Sequence, residues 1–418
     1  MADYELSIAQ GMDRIDRTAW DSLLHEGDAP LLSHGLLSLL EESGSICPET
    51  GWTPAHFLLS EKSDNGVEGS GRKLVAAAPF YVKGDSWGEF VFDMELASIA
   101  ERAGIAWFPK LVGMVPATPA PGWRVLMAPT APGEERLPGE APVAAEADAA
   151  PDLTRILLEG AEEAARQNGL AGIHVLWPHP SITGELRTLR SGKRTGSADF
   201  VEWSHQAFLW EDRGYGDFGG WLGSFSKNMR RNVLRERAAL RAAGVESRIV
   251  GAEEATRDPK LLPLMSELYV SHNDKFGPWA ARFLTEDFFL RLPEFLPGGW
   301  CLSVGYEGGE PVAMAFLFEG KGRLYGRYYG ARREIPFLHF ELCYYRPLEY
   351  ALDRGIPSFD PGMGSPHKAR RGFASYSAPS FHRVFDPRMA SFLAEAMPEV
   401  NRQEAEGIEA LNGDLPYK

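Results

Sequence analysis

Two stretches carry most of the side chains able to do chemistry. Residues 324–330 form an aromatic, strand-like run containing Arg327, Tyr328 and Tyr329. It passes through Arg332 and Arg333 into a helix that starts at Pro336 and bears His339, Glu341 and Tyr344. Residues 359–373 form a Gly- and Pro-rich loop holding Asp360, His367, Lys368, Arg370 and Arg371. Strand, short basic loop, helix, strand and second basic loop make a βαβ unit with cations gathered at one end. A helix N-terminus presents unpaired N–H groups, so that end suits an anionic substrate or cofactor.

A third basic stretch is the helix expected over 226–243. It carries Lys227, Arg230, Arg231, Arg235, Arg237 and Arg241 against Glu236, with an apolar stripe of Met229, Val233 and Leu240. The plain reading is a solvated face on an amphipathic helix. Cations in the first turn oppose the helix dipole, however, which points Lys227, Arg230 and Arg231 toward an anion. His339 and Glu341 are two residues apart and face different sides of their helix. His339 reads as a packing histidine or a proton acceptor. Glu341 sits among apolar neighbours and needs a partner such as Arg327, Lys368 or Arg371; left unpaired, its raised pKa would suit a general base. Asp93 and Lys110 are further candidates in the first half. The sequence holds no zinc-type histidine pair, no phosphate-binding P-loop and no Gly-x-Ser-x-Gly elbow, so no metal site is expected.

The elements that must position these groups alternate strand and helix. In the first half, strands are expected at 4–9, 55–60, 74–82, 106–112, 124–128, 172–177 and 206–210. Helices are expected after Ser33, around 97–102, and over 152–168 and 184–190, with a polar turn at 61–72 and a mobile insert at about 131–151. The second half reads as helices at 217–224 and 226–243, a strand at 245–250, and helices at 261–276 and 285–291. A three-strand meander (300–306, 311–319, 323–329) follows, then a helix at 336–354 that Pro347 bends or ends, and strands at 358–360 and 378–385. The class is α/β (α+β), with a division at 1–205 and 206–418. At 418 residues the chain is long enough for such a pair of domains. A net charge of −15 argues against a protein that coats nucleic acid. Cys47, Cys301 and Cys343 have neither metal-ligand nor disulfide spacing. No long apolar run and no basic-then-apolar leader is present, so a cytoplasmic location is expected.

The order of elements in the second half resembles the GNAT acyltransferase fold. The basic helix from Lys227 ending at Gly244-Val245, the strand through Tyr328-Tyr329-Gly330 with Glu341 and Tyr344 after it, and the run Asp360-Pro361-Gly362 to His367-Lys368 to Gly372-Phe373 resemble the FemAB-like branch. That resemblance implies two GNAT-like domains, each with a mixed central sheet flanked by helices. It implies an acyl- or aminoacyl-transferase of the peptidoglycan-biosynthesis type, in which a substrate amine attacks an activated ester or thioester. No tightly bound cofactor is implied; the donor would be aminoacyl-tRNA or acyl-CoA, and the acceptor an amine such as a peptidoglycan precursor. The catalytic candidates are Glu341, Lys368 and His339. The binding candidates are Lys227, Arg230, Arg231, Arg327, Tyr329, Arg332, Tyr344, Asp360, His367 and Arg371. The loop 331–335 lacks the Gly-rich pattern that holds CoA pyrophosphate in GNAT enzymes, which favours the tRNA-linked donor. The alternatives are an acyl-CoA-dependent N-acetyltransferase of a small molecule and a non-catalytic cell-wall-precursor-binding protein. All of these readings require 227–231, 332–339 and 360–371 to converge on one electropositive cleft.

Overall fold

The computed structural model describes residues 4–61, 72–128, 152–189, 199–277 and 280–418. The 131–151 insert and nearly all of the 61–72 turn lie outside the described residues.

The first half contributes β1 (Tyr4–Ala9), β2 (Trp52–Pro54), β3 (His56–Glu61), β4 (Lys73–Ala78), β5 (Phe80–Lys83), β6 (Lys110–Gly113), β7 (Leu126–Met127) and β8 (Gly172–Val175). The second contributes β9 (Val201–Glu211), β10 (Val245–Gly251), β11 (Trp300–Glu307), β12 (Glu310–Gly320), β13 (Arg323–Ala331), β14 (Ser358–Asp360) and β15 (Ala374–Val384). The strands β1, β3, β4 and β7 form a small sheet. The rest form one continuous sheet in the order β10–β11–β12–β13–β14–β9–β15–β8–β6–β5–β2. Each half is mixed and contains one parallel pair, β6 with β8 and β13 with β14. A helix precedes the second strand of each pair (Leu153–Gln167 and the helical segment 338–353), the connection that parallel neighbours require. The α/β class with a mixed, helix-flanked sheet in each half is therefore what the chain forms.

The halves are joined through their last strands. β9 pairs with β14, β15 pairs with β8, and β9 and β15 pair with each other from Ala374↔Leu209 to His382↔Val201. The division placed between 205 and 206 falls inside β9. One hydrophobic core also crosses the halves: Trp20, Leu36 and Leu40 share it with Leu292, Trp300 and Phe316. Each such fully buried side chain stabilises by about 1.5–3 kcal/mol. The walls of any cleft between the halves are thus held firmly.

The meander follows from its turns. Gly308, Gly309 and Gly322 take left-handed φ (59°, 85° and 80°), which glycine adopts without steric cost. Gly330 has a different task. A Cβ there would lie 2.2 Å from the Leu268 carbonyl oxygen, so only glycine lets the helix Leu261–Asp274 rest directly on β13. Pro347 does not mark the last turn of the helix, which runs on to Asp353. A wider, π-type turn at Glu341–Tyr345 precedes it, and Arg346–Asp353 continues as α-helix. The loosened turn absorbs the hydrogen bond that Pro347 cannot make.

Candidate active site

The pairing of β13 with β14 covers only Leu324↔Phe359 and Tyr325↔Asp360. Beyond that point β13 runs on to Ala331 while the other chain turns away at Pro361 and Gly362, and the two diverge. A cavity of about 650 Å³ occupies the opening. Its floor is Gly326–Tyr329 of β13, its sides are 361–368 and the helical segment at His339, Cys343 and Tyr344, and the first half closes it with Phe90, Phe92 and Ala117. The helix lying on Gly330 adds Tyr269, His272 and Asn273.

Backbone irregularities concentrate here. Between Phe316↔Tyr328 and Leu317↔Gly326 the β12–β13 register skips Arg327, which is the extra residue of a β-bulge. A bulge re-aims a side chain, and here the Arg327 guanidinium packs over the Tyr325 ring, 5.3 Å from its centroid. Phe90, Ala117 and Ser365 all line the cavity, and all have left-handed φ (56°, 50° and 75°) although none is glycine. Conformations this costly persist where surrounding structure enforces them, and they cluster at functional sites.

No aspartate or glutamate is among the described lining residues, whereas Arg327 and Lys368 are. The Arg327 side chain is 2 % exposed. Its Nη1 donates to the Gly326 carbonyl at 2.8 Å and lies 3.7 Å from Asp360 Oδ1, but its Nε and Nη2 are buried without a partner. A buried guanidinium with unused donors is a costly arrangement, and what reaches solvent at this position is mainly the main chain. Lys368, 3 % exposed, donates to the carbonyls of Gly362 (2.7 Å) and Met363 (2.6 Å), holding the turn that forms the cavity side. Burial lowers its pKa to about 8, with the Asp360 charge opposing the shift. Asp360 is fixed by the Gly362 N–H at 2.7 Å.

Tyr329 stands between two imidazoles, with ring centroids 5.6 Å from His272 and 4.9 Å from His339. Enclosure by protein, then the charges of His272, Lys368, Arg371 and His367, bring the His339 pKa down to about 4, although solvent reaches its ring through the cavity. The imidazole is neutral and able to accept a proton. Burial pushes the Cys343 thiol up to about 12 and raises Tyr329 and Tyr344 well above the usual phenol range. Cys343 is therefore not a ready thiolate nucleophile.

Of the residues singled out in the sequence, Arg327, Tyr329, His339, Tyr344 and Lys368 meet in this cavity, with Asp360 immediately behind it. The others do not line it. Glu341 is turned away by the helical period that aims His339 and Cys343 inward. Its Oε1 accepts from Arg237 (2.9 Å) and Ser247 (2.8 Å), so its partner is Arg237 and not Arg327, Lys368 or Arg371. Arg371 lies over the Phe340 ring at 3.4 Å and reaches Glu236 at 3.3 Å. His367 is exposed beside Phe340, at a ring distance of 6.0 Å. Arg332 and Arg333 are exposed, and Arg333 pairs with Glu307. Lys227 and Arg231 are exposed, Arg230 is half-buried, and none of the three makes an ion pair among the described residues. The expected three-way convergence is thus partial: His339 and 360–368 meet, joined by β13, while 227–231 does not take part. Reading the sequence missed His272, Asn273, Phe90 and Phe92. Gly330 was the one available signal for the first two, since it marks where a helix must approach.

In the first half, Lys110 is wholly buried and donates to Asp93 (2.7 Å), Glu89 (2.8 Å) and Ser86 (3.0 Å). This is a buried ionic knot in which Glu89 Oε1 and Asp93 Oδ1 have no partner among the described residues. Burial raises Glu89 to about 7 despite the lysine beside it.

The family of this mixed-sheet chain can be stated plainly. The chain matches the FemAB-like family, described as peptidoglycan biosynthesis/recognition, over residues 11–418, and it is a member of that family. No curated protein matches it in sequence. Among solved structures it is similar to FemX, at 12% identity and a TM-score of 0.48 over 93% of this chain and 100% of that one. It is also similar to L-PGS from Bacillus licheniformis, at 11% identity and a TM-score of 0.45 over 90% and 98%. A tandem GNAT protein from the clavulanic acid biosynthesis pathway is similar at 12% identity and a TM-score of 0.41 over 91% and 98%. No helix among the described residues is long and apolar enough to cross a membrane.

Proposed function

We propose that the protein is an N-acyl- or aminoacyl-transferase and that the cavity between β13 and β14 is where the amide forms. The observation that carries this reading is Arg327: a bulge residue in the wall of a cavity that has a second cation and no described acid, with a 2 % exposed side chain whose guanidinium keeps two nitrogens unpartnered. Arg327 and Lys368 would hold an anionic part of the donor or the oxyanion that develops as an amine attacks the acyl carbonyl. The amine nitrogen bonds to the carbonyl carbon, the ester or thioester oxygen or sulfur leaves, and the amine proton passes to His339 directly or through water. Anion binding would cancel part of the positive field that keeps His339 weakly basic, raising its pKa as the substrate arrives. Positioning and charge stabilisation suffice for such an aminolysis, and the inert Cys343 fits a route without a thioester intermediate on the enzyme.

A tRNA-linked donor, the second reading, is favoured by the exposed Lys227 and Arg231 on the helix Lys227–Ala242, neither of which makes an ion pair among the described residues. The test is mass spectrometric detection of amide product with acyl-CoA and aminoacyl-tRNA donors offered to a panel of amines including peptidoglycan precursors. Product with wild type and its loss in Arg327→Met supports transfer. Precursor binding without product under any donor would mark a recognition protein instead.

A further inference from the structure

A second cavity, of about 1030 Å³, adjoins the first and shares Phe90, Phe92, Ala281 and Phe283 with it. It lies between the 85–93 turn, the helix Met94–Arg102 and residues 104–108. Its size exceeds what a short acyl group needs and matches the upper range of small-molecule sites.

Its chemistry is the opposite of the first cavity's. No lysine, arginine or histidine is among its described lining residues, so it offers nothing to a phosphate or carboxylate. Two of its acids are already committed from behind: Asp85 to Lys83 at 3.2 Å, and Asp93 to Lys110 at 2.7 Å and the Trp107 indole at 2.8 Å. An amine would find those carboxylates occupied. The third acid, Glu101, is exposed, Ser86 and Ser98 are the other polar side chains, and the remaining walls are mostly apolar, with Val91, Ile105, Trp107 and Phe108 among them. The mouth carries Trp87, Phe92 and Met94, exposed by 42%, 65% and 56%. Large apolar side chains grouped at one opening, rather than scattered over the surface, mark a place that apolar matter enters.

We infer that this cavity holds the aliphatic chain of a fatty-acyl donor whose activated carboxyl end lies in the first cavity, whose lining includes Arg327 and Lys368. The inference rests on the transferase reading and adds the substrate class. The Phe90–Phe283 pair, 5.3 Å between centroids, stands at the junction where the chain passes from one cavity to the other.

The experiment is isothermal titration of wild type and Ala97→Trp with CoA thioesters from acetyl through octanoyl to palmitoyl, and with dodecylamine. Ala97 lines only the second cavity, where an indole fills space the chain needs. The expected result is affinity that rises with chain length by about fourfold per buried methylene until the space is full. In Ala97→Trp the ratio of long-chain to short-chain affinity should fall at least about tenfold while the unfolding midpoint holds. Equal binding of all thioesters overturns the inference and leaves the transferase reading standing. A length preference that survives Ala97→Trp, or tight binding of dodecylamine in place of the thioesters, overturns it as well. Binding of no thioester at all overturns it together with the CoA-linked donor.

Discussion

Arg327 and Asp360 face each other 3.7 Å apart beside the last paired position of β13 and β14, Tyr325↔Asp360. The distance is too long for a hydrogen bond yet short enough for the charges to compensate. Asp360 therefore keeps the guanidinium tolerable in the free protein without using its remaining donors.

Arg327→Met should separate binding from folding. Losing a charge-assisted contact of about 1.5–3 kcal/mol lowers affinity for an anionic donor by roughly ten- to hundredfold. Lys368 still faces Asp360, so the unfolding midpoint should move by no more than about 4 °C. Calorimetric titration with a thermal melt reads both.

Lys368 gives opposite pH trends for stability and binding. Its folded pKa of about 8 lies below the ordinary 10.5, so the unfolded chain holds the proton more tightly. Its penalty is fully present below about pH 8 and is relieved as pH rises toward 10.5, so its contribution to stability rises through that window. The ammonium is lost over the same window, so affinity for CoA should fall as pH passes about 8. Lys368→Arg, which stays charged, should flatten the binding profile measured by titration across that range.

Glu341→Gln should cost stability rather than chemistry. The carboxylate accepts from Arg237 and Ser247 and lies outside the cavity. Because Arg237 keeps Glu349 at 3.0 Å, the expected loss is about 1–3 kcal/mol in denaturant unfolding, with the rate of amide formation within a fewfold of wild type. A drop of a hundredfold or more in a protein that stays folded would return Glu341 to the catalytic list.

Gly330→Ala should damage the site from behind. The new methyl meets Leu268 backbone at 2.2 Å, which must push the helix Leu261–Asp274 off β13 and carry His272 and Asn273 with it. A loss near the upper end of about 1–3 kcal/mol in stability is expected, with donor affinity falling beside it.

The strand and helix order was legible because periodicity and turn glycines, such as Gly308-Gly309 and Gly322, act locally. Arg327, Lys368 and His339 were legible as chemistry, since cations and imidazole in an aromatic and Gly-rich setting stand out. What could not be read was partnership. Glu341 was matched with nearby cations in the sequence because its partner Arg237 lies 104 positions earlier, and the basic helix looked like part of the site because nothing local reveals which way its N-terminus points. The first-half contribution of Phe90 and Phe92 depends on how β9 and β15 join the two halves, a non-local pairing that no window of sequence contains. The bulge at Arg327 is likewise visible only in the register of β13 against β12.

The central claim is that the opening between β13 and β14 takes the activated acyl group. A crystal structure of the protein with palmitoyl-CoA tests it most directly. The account expects the thioester carbonyl in the cavity within hydrogen-bonding distance of Arg327 or Lys368. A ligand seated elsewhere, for instance along the helix Lys227–Ala242, with the Arg327 guanidinium still unpartnered, would contradict it.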